Sequence, residues 1–154
     1  MRPIERIKEA QRVLESEAKA IFASSKKIGL DFSKCVDLII DCKGTVVISG
    51  IGKSGNIGRK ITSTLASLGT PSIFLHTSDA FHGDLGILRK NDLLILISNS
   101  GETDELVRLL NYANKNDIKS IAITGNVNST ISKEASVSLN SSVESEACPL
   151  NLAP

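Results

Sequence analysis

The sequence predicts an α/β protein in which a parallel sheet of five strands is covered by helices on both faces, giving three layers. Short apolar runs without polar alternation, such as 46–50 and 92–98, are typical of strands buried on both faces. Amphipathic stretches of helical period separate these runs, so strands and helices alternate along the chain. Such alternation is typical of right-handed strand–helix–strand crossovers in a parallel sheet.

Two helices precede the first predicted strand, over about 3–28 and 31–42, and Gly29 separates them. In the second helix, Asp31 or Ser33 is the expected cap. We therefore divide the chain into N-terminal helices, 1–43, and a domain of alternating elements, 44–154. The N-terminal helices are expected to pack on the core or on a partner subunit.

The remaining elements follow from the same patterns. The predicted strands are at about 45–50, 72–76, 92–98, 120–124 and 137–139. The predicted helices are at 54–68, from Ser100 to about Asn116, and at 129–135. Residues 77–88 are expected to form an irregular connector.

Composition excludes several classes of protein. The formal net charge is +1, so no overall electrostatic field attracts nucleic acid. Aromatic residues make up only 3% of the chain, too few for surfaces on which bases could stack. Charged and polar residues interrupt every apolar run before it reaches membrane-spanning length. The three cysteines are odd in number and lack C-x-x-C spacing, and the N-terminus is a charged amphipathic stretch and not a signal peptide. We therefore predict a cytoplasmic protein with no nucleic-acid or membrane partner.

A glycine-rich turn joins the first strand to the helix after it. Glycines allow backbone N–H groups to approach a ligand, and the helix directs its positive end to the same place, so an anion, most simply a phosphate, is expected. A Walker loop would need glycine at position 47, where Val47 stands. Gly50, Gly52 and Gly55 satisfy the dinucleotide fingerprint, but the next strand ends at His76 without the acidic residue expected there. Nicotinamide binding is therefore not favoured.

Hydroxyl side chains collect after the third strand, at Ser98, Ser100 and Thr103, around Gly101. They could simply cap the next helix, or they could surround phosphate oxygens. Because three hydroxyls exceed the need of one cap, we favour phosphate binding. The carboxyl ends of parallel strands share one edge, so this cluster is expected beside Lys53.

Several charged residues have two interpretations. Lys53 opposes the dipole of its helix, which a bound anion would offset, although a solvated lysine is the common case. Glu102 and Glu105 suit the start of a helix for dipole reasons alone. His76 and His82, with Asp84 or Cys148, match no established zinc spacing, so no metal site is predicted.

Four segments occur in one order: Gly52–Gly55, His82–Gly86, Ser98–Glu102 and Glu146–Pro154. Together they closely resemble the sugar isomerase (SIS) domain of the arabinose 5-phosphate isomerases. The third segment is typical of SIS domains in general, whereas the second and the fourth are specific to this isomerase subgroup.

The resemblance implies a flavodoxin-like SIS fold and an enzyme that interconverts D-arabinose 5-phosphate and D-ribulose 5-phosphate through a cis-enediol. The reaction would feed the synthesis of 3-deoxy-manno-octulosonate for lipopolysaccharide. The resemblance also implies a homotetramer, or a dimer, and an enzyme that needs no organic cofactor. Matched position by position, the implied catalytic residues are Lys53, Glu105, Glu146 and His82. The implied substrate- and phosphate-binding residues are Gly52, Ser54, Ser98, Asn99, Ser100, Gly101 and Thr103. Whether Glu105 or Glu146 is the enediol base stays open.

Family members continue beyond the position of Pro154 into a covering helix and a His-Pro-Gly-Gly segment, and many then carry CBS modules. The chain is therefore expected to be a trimmed piece that lacks these parts and is weakly active or inactive alone. Two other functions stay open: a SIS isomerase of the 6-phospho-3-hexuloisomerase type, and a non-catalytic module that senses a sugar phosphate.

Overall fold

The computed structural model describes residues 2–148 of the chain, which form two compact units. Residues 2–29 and 142–148 make the smaller unit, and Leu30–Ser141 makes the larger one. The second of the two predicted N-terminal helices thus belongs to the same unit as the sheet.

The smaller unit is built on one long helix, α1 (Pro3–Ser25). Its start is fixed by Arg2, whose backbone N–H donates to Glu5 Oε2 at 2.8 Å, and by proline at the first helical position. The guanidinium of Arg12 donates to the carbonyl of Ala147 at 3.0 Å, which joins the segment 142–148 to the helix. No side chain of α1 is buried. Its large apolar side chains lie exposed at Ile4, Ile7, Leu14, Ile21 and Phe22.

The larger unit contains five strands, five α-helices and a 3₁₀ turn among its described residues. The strands are β1 (Val46–Gly50), β2 (Ser72–Phe74), β3 (Leu93–Ile97), β4 (Lys119–Thr124) and β5 (Val137–Asn140). The helices are α2 (Leu30–Ile40), α3 (Gly52–Ser67), α4 (Thr77–Phe81), α5 (Asp104–Lys115) and α6 (Thr130–Glu134), with the 3₁₀ turn at Asp84–Ile87. All strands pair in parallel in the order β2-β1-β3-β4-β5, which confirms the predicted fold class.

The sheet separates two apolar cores. On one face, Val47, Leu94 and Leu96 pack with side chains of α4, α5 and α6. On the other, Ile48 and Ile95 pack with side chains of α2 and α3. Every residue of β1 and β3 is buried, because each of these strands has helices above and below it and a strand on either side.

The connector after β2 differs from the prediction of an irregular segment. It contains α4 and the 3₁₀ turn, and α4 begins where His76 Nδ1 accepts the N–H of Ser78 at 3.2 Å. Thr77 and Ala80 are buried against the core. A helix of five residues is too short for a helical period to be visible in the sequence, which is why the pattern did not reveal it.

Two predicted helix starts are also shifted. α2 begins at Leu30, and Asp31 pairs with Lys34 at 2.8 Å inside the first turn, so neither Asp31 nor Ser33 precedes the helix as a cap. α5 begins at Asp104, because residues 98–103 form a separate hydrogen-bonded turn. No helix within residues 2–148 is both long enough and apolar enough to cross a lipid bilayer.

Candidate functional site

The order of the strands places a crevice at the carboxyl ends of β1 and β3. These strands are neighbours, and their last residues, Gly50 and Ile97, are paired in register. The helix after β1 packs on one face of the sheet and the helix after β3 on the other. In open parallel sheets, ligands bind at such a point of reversal. We call the space between residues 51–54 and 98–103 the switch-point crevice.

One wall of this crevice is the β3–α5 turn, residues 98–103. The hydroxyl oxygens of Ser98 and Thr103 are 2.9 Å apart, and those of Ser98 and Ser100 are 3.5 Å apart. The N–H of Gly101 donates to Ser98 Oγ at 3.1 Å, and the N–H of Glu102 donates to Ser100 Oγ at 3.2 Å. The turn therefore brings together the three hydroxyls singled out in the sequence.

Thr103 is the N-cap residue of α5, yet its hydroxyl makes no capping bond to that helix. It bonds to Ser98 instead, so capping does not explain this threonine. Each hydroxyl has one proton to donate. The Ser98–Thr103 and Ser98–Ser100 bonds use two of the three protons, and one remains for a ligand. A group of O–H donors at a helix start is suited to oxyanions.

Gly101 gives the turn its shape. Its φ is +67°, a conformation that is costly for any residue with a Cβ. A Cβ here would also overlap with the side chain of Ser129 and would lie 2.8 Å from Thr124 Oγ1. The turn is thus packed directly against the end of β4 and the segment that follows it.

The β1–α3 turn forms the opposite wall. Gly52 has a φ of +59°, and a Cβ on Gly55 would lie 2.7 Å from the carbonyl oxygen of Gly50. The helix can therefore start close to the end of the strand only because these positions are glycine. The N-cap residue of α3 is Ile51, which has no polar side chain to cap the first amides. Lys53 is exposed in this first turn, where its charge opposes the helix dipole.

The remaining predicted residues lie as follows. Ser54 is half-buried in the first turn of α3, and Asn99 is exposed in the β3–α5 turn. Glu105 is exposed in the first turn of α5. Glu146 is half-buried and belongs to the smaller unit.

His82 follows α4 directly, and an aromatic contact joins its neighbour to α5. The guanidinium carbon of Arg108 lies 4.2 Å from the centre of the Phe81 ring, a distance typical of a cation–π contact. Arg108 is one turn after Glu105, so the end of α4 lies beside the first half of α5. This contact places the segment with His82 near the α5 side of the crevice, where the His82 side chain is exposed.

Sequence reasoning missed a contact that crosses between two turns. The N–H of Thr130 donates to Glu102 Oε1 at 2.8 Å. Hydrogen bonding by Thr130, first through its side chain and then through its backbone, lowers the pKa of Glu102. The two residues are far apart in sequence, and only the pairing of β3 with β4 makes them neighbours.

Two other features lie outside this site. A cavity of about 470 Å³ lies at the opposite edge of the sheet, where Lys43 and Arg89 are among its lining residues. The carboxylate of Asp92 at that edge accepts the N–H groups of Thr45 and Arg89, both at 2.8 Å, and so serves the strand starts. Within residues 2–148, no three His, Cys, Asp or Glu side chains form a cluster that could hold a metal ion.

Comparison with known proteins gives consistent results. The SIS domain profile matches residues 38–154. The chain is 48% identical over 148 residues to the arabinose 5-phosphate isomerase KdsD of Pseudomonas aeruginosa, covering 96% of this chain and 45% of that protein. It is 47% identical over 149 residues to the arabinose 5-phosphate isomerase KpsF of Escherichia coli O6:H1, covering 96% and 46%. The chain thus spans less than half the length of these curated relatives.

A solved structure is also similar over the whole chain. It is that of an Escherichia coli CFT073 protein in complex with arabinose 5-phosphate, with a TM-score of 0.93 and 38% sequence identity. The match covers 100% of this chain and 82% of that chain.

Proposed function

This chain belongs to the SIS domain family, and we propose that it is the isomerase domain of an enzyme that interconverts D-arabinose 5-phosphate and D-ribulose 5-phosphate. The observation that carries the proposal is the hydroxyl cluster of Ser98, Ser100 and Thr103 at the switch-point crevice, opposite the start of α3. The choice of sugar is supported by the names of the two relatives, each close to half identical to this chain.

The phosphate of the sugar would be held by the β3–α5 turn. Ser98, Ser100 and Thr103 supply O–H donors, and the backbone around Gly101 shapes the turn. Gly52 and Ser54 belong to the opposite wall, where the uncapped first amides of α3 favour an anion. Asn99 adds an exposed amide to the same turn. Gripping the phosphate positions the distant carbon atoms C1 and C2 for reaction.

The reaction itself moves one proton between neighbouring carbons. A carboxylate removes the proton from C2 of the open-chain aldose, a cis-enediol forms, and the proton is delivered to C1 to give the ketose. Glu105 and Glu146 are the candidates for this carboxylate, and the other one would assist ring opening or hydroxyl proton transfer. The cation of Lys53 would stabilise negative charge on the enediol oxygens, and His82 would donate a hydrogen bond to these oxygens. No organic cofactor and no metal is required by this chemistry.

We further propose that the protein works as a homotetramer or a homodimer. The apolar side chains of α1, such as Leu14 and Ile21, are 66% and 72% exposed, and a second copy would remove them from water. We assign this role in assembly to α1 alone, because α2 packs on the sheet within the larger unit. Because a charged sugar phosphate does not cross a bilayer unaided, we place the reaction in the cytoplasm. The reaction would feed the synthesis of 3-deoxy-manno-octulosonate, and through it that of lipopolysaccharide.

The test is an assay of the full-length purified protein with three substrates. D-arabinose 5-phosphate is expected to give D-ribulose 5-phosphate, whereas D-arabinose without its phosphate is expected to react on the order of a thousandfold less efficiently, since the phosphate grip is lost. Faster turnover of 3-hexulose 6-phosphate would instead identify an isomerase of the 6-phospho-3-hexuloisomerase type. Tight binding of D-arabinose 5-phosphate without isomerisation would indicate a sensing module.

A further inference from the structure

We propose that Glu102 is a positioning residue: by accepting the N–H of Thr130, it holds the β3–α5 turn in the shape that binds the substrate phosphate. This inference rests on the proposed function, because it concerns the same phosphate site. Glu102 itself is not expected to touch the substrate.

The two turns beyond β3 and β4 are joined by several hydrogen bonds. The N–H of Gly125 donates to the carbonyl of Asn99 at 3.0 Å, and the N–H of Ile131 donates to the carbonyl of Gly101 at 3.2 Å. The hydroxyl of Thr124 donates to the same carbonyl of Asn99 at 3.3 Å. Residues 99 and 101 flank Ser100, so the backbone on both sides of this hydroxyl is held by the β4–α6 region.

Glu102 completes this arrangement by taking the place of a helix cap. Ser129 is the N-cap residue of α6, but its hydroxyl donates to the carbonyl of Asn126 at 2.6 Å and makes no capping bond. The first amide of α6, that of Thr130, is instead bound by Glu102 at 2.8 Å. A carboxylate at a helix start is favourable in charge as well as in hydrogen bonding. The cap of α6 therefore comes from the turn that carries Ser98 and Ser100.

Electrostatic repulsion and the proposed positioning role predict opposite changes in phosphate affinity when Glu102 is replaced. A carboxylate beside an anion site repels phosphate, so if Glu102 acted only through its charge, its removal would tighten phosphate binding. If Glu102 acts by holding the turn, removing its side chain weakens binding. The two effects have opposite directions, and a Glu102→Gln variant separates them because it keeps an acceptor oxygen and loses the charge.

The partner can be altered independently. Thr130→Pro deletes the donating N–H, and Thr130 is the first residue of α6, where proline is tolerated. The residue before it, Ser129, has φ −69° and ψ 164°, which is the conformation preferred before proline. Thr130→Ser retains both the amide and the hydroxyl and is the matched control.

The experiment measures KM and kcat for D-arabinose 5-phosphate and competitive inhibition by inorganic phosphate, with the full-length protein. Glu102→Ala and Thr130→Pro are expected to raise KM and the phosphate inhibition constant on the order of tenfold with little change in kcat. Glu102→Gln and Thr130→Ser are expected to stay within about threefold of the wild type. The double variant Glu102→Ala/Thr130→Pro should be no weaker than either single variant, because both remove one interaction.

The proposal is overturned if Glu102→Ala binds phosphate as well as or better than the wild type, or if the two single effects multiply in the double variant. Amide hydrogen exchange at residues 130–131 supplies a readout independent of activity, and it should accelerate in Glu102→Ala. If the wild type binds inorganic phosphate but does not isomerise the sugar, the proposed function fails. The positioning role is then judged on phosphate binding and exchange alone.

Discussion

The hydroxyl of Thr103 lies 2.9 Å from that of Ser98, although Thr103 is the N-cap residue of α5 and could have bonded to that helix. The position is one where a capping threonine would be expected from its place in the sequence. Its hydroxyl is used to order the β3–α5 turn instead. The Thr103 hydroxyl is therefore expected to contribute to substrate binding and not to the stability of α5.

Thr103→Val tests that separation, since valine has the same shape without the O–H. We expect KM for D-arabinose 5-phosphate to rise on the order of tenfold, because one donor is lost and Ser98 loses its partner. The free energy of unfolding should fall by less than about 1 kcal/mol, because no cap is removed. Steady-state kinetics and chemical unfolding measure the two effects.

Thr103→Ser is the matched control and should behave like the wild type. A loss of stability of about 1 kcal/mol or more in Thr103→Val, without a change in KM, would show that this threonine does cap the helix.

Gly101→Ala tests how far the turn depends on its backbone shape. The φ of +67° and the overlap of a Cβ with Ser129 should together cost about 2–4 kcal/mol of unfolding free energy. Substrate binding should weaken as well, because any relaxation moves Ser100. Thermal unfolding and kinetics would check both.

The control for this variant is Gly29→Ala, at a glycine with ordinary φ and no atom within 4 Å of its would-be Cβ. It is expected to be neutral within about 0.5 kcal/mol. Equal effects in the two variants would contradict the role given to Gly101.

The strands were predictable from sequence because burial on both faces leaves uninterrupted apolar runs, as in Leu93–Ile97. The hydroxyl cluster was predictable because Ser98, Ser100 and Thr103 are close in the chain and follow a strand. Glu102 was recognisable only as a dipole partner, because its bond to Thr130 depends on β4 lying beside β3, and sequence alone does not fix that order.

Lys53→Met tests the proposed role of the cation at the start of α3. We expect kcat to fall on the order of a hundredfold to a thousandfold, because charge on the enediol oxygens loses its partner. Since Lys53 is exposed and opposes the helix dipole, the free energy of unfolding should be unchanged or rise by about a few tenths of a kcal/mol. Loss of activity combined with retained stability is the expected signature.

Lys60→Met is a matched change on the same helix, where the ammonium donates to Thr64 Oγ1 at 2.9 Å on the exposed surface. Its kcat should stay within about twofold of the wild type. If both lysine variants lose activity alike, a general effect of charge on the protein would replace the specific role of Lys53.

Arg108→Met tests the cation–π contact with Phe81. Loss of the contact should reduce the free energy of unfolding by about 0.5–1 kcal/mol. Because Phe81 precedes His82, kcat should also fall severalfold as the end of α4 loosens. Arg59→Met is the control, since Arg59 lies the same 4.2 Å from the ring of Phe74 and should lower stability equally without the loss of kcat. Equal kcat values in the two variants would show that the contact between Arg108 and Phe81 does not position His82.

The lowered pKa of Glu102 predicts a pH dependence for the contact between the two turns. Thr130 favours the ionised form in the folded protein, first through its side chain and then through its backbone, so the folded pKa lies below the unfolded one. The stabilisation is therefore fully present above the unfolded pKa, about 4.3 for glutamate, and is lost as the pH falls through the folded value. NMR titration of the Glu102 carboxyl carbon, assigned against Glu102→Gln, measures the folded pKa directly.

The same titration in Thr130→Pro should return the pKa towards the ordinary glutamate value, because that variant has neither the N–H nor the hydroxyl. Thr130→Ser should leave the pKa low. Lowering the pH from about 6 to about 3 should also reduce the protection of the amides at residues 130–131, measured relative to their intrinsic exchange rates at each pH, in the wild type but not in Glu102→Gln, whose amide oxygen does not titrate. A Glu102 pKa at or above the ordinary value, or one unchanged by Thr130→Pro, would mean that Thr130 does not bind this carboxylate in solution.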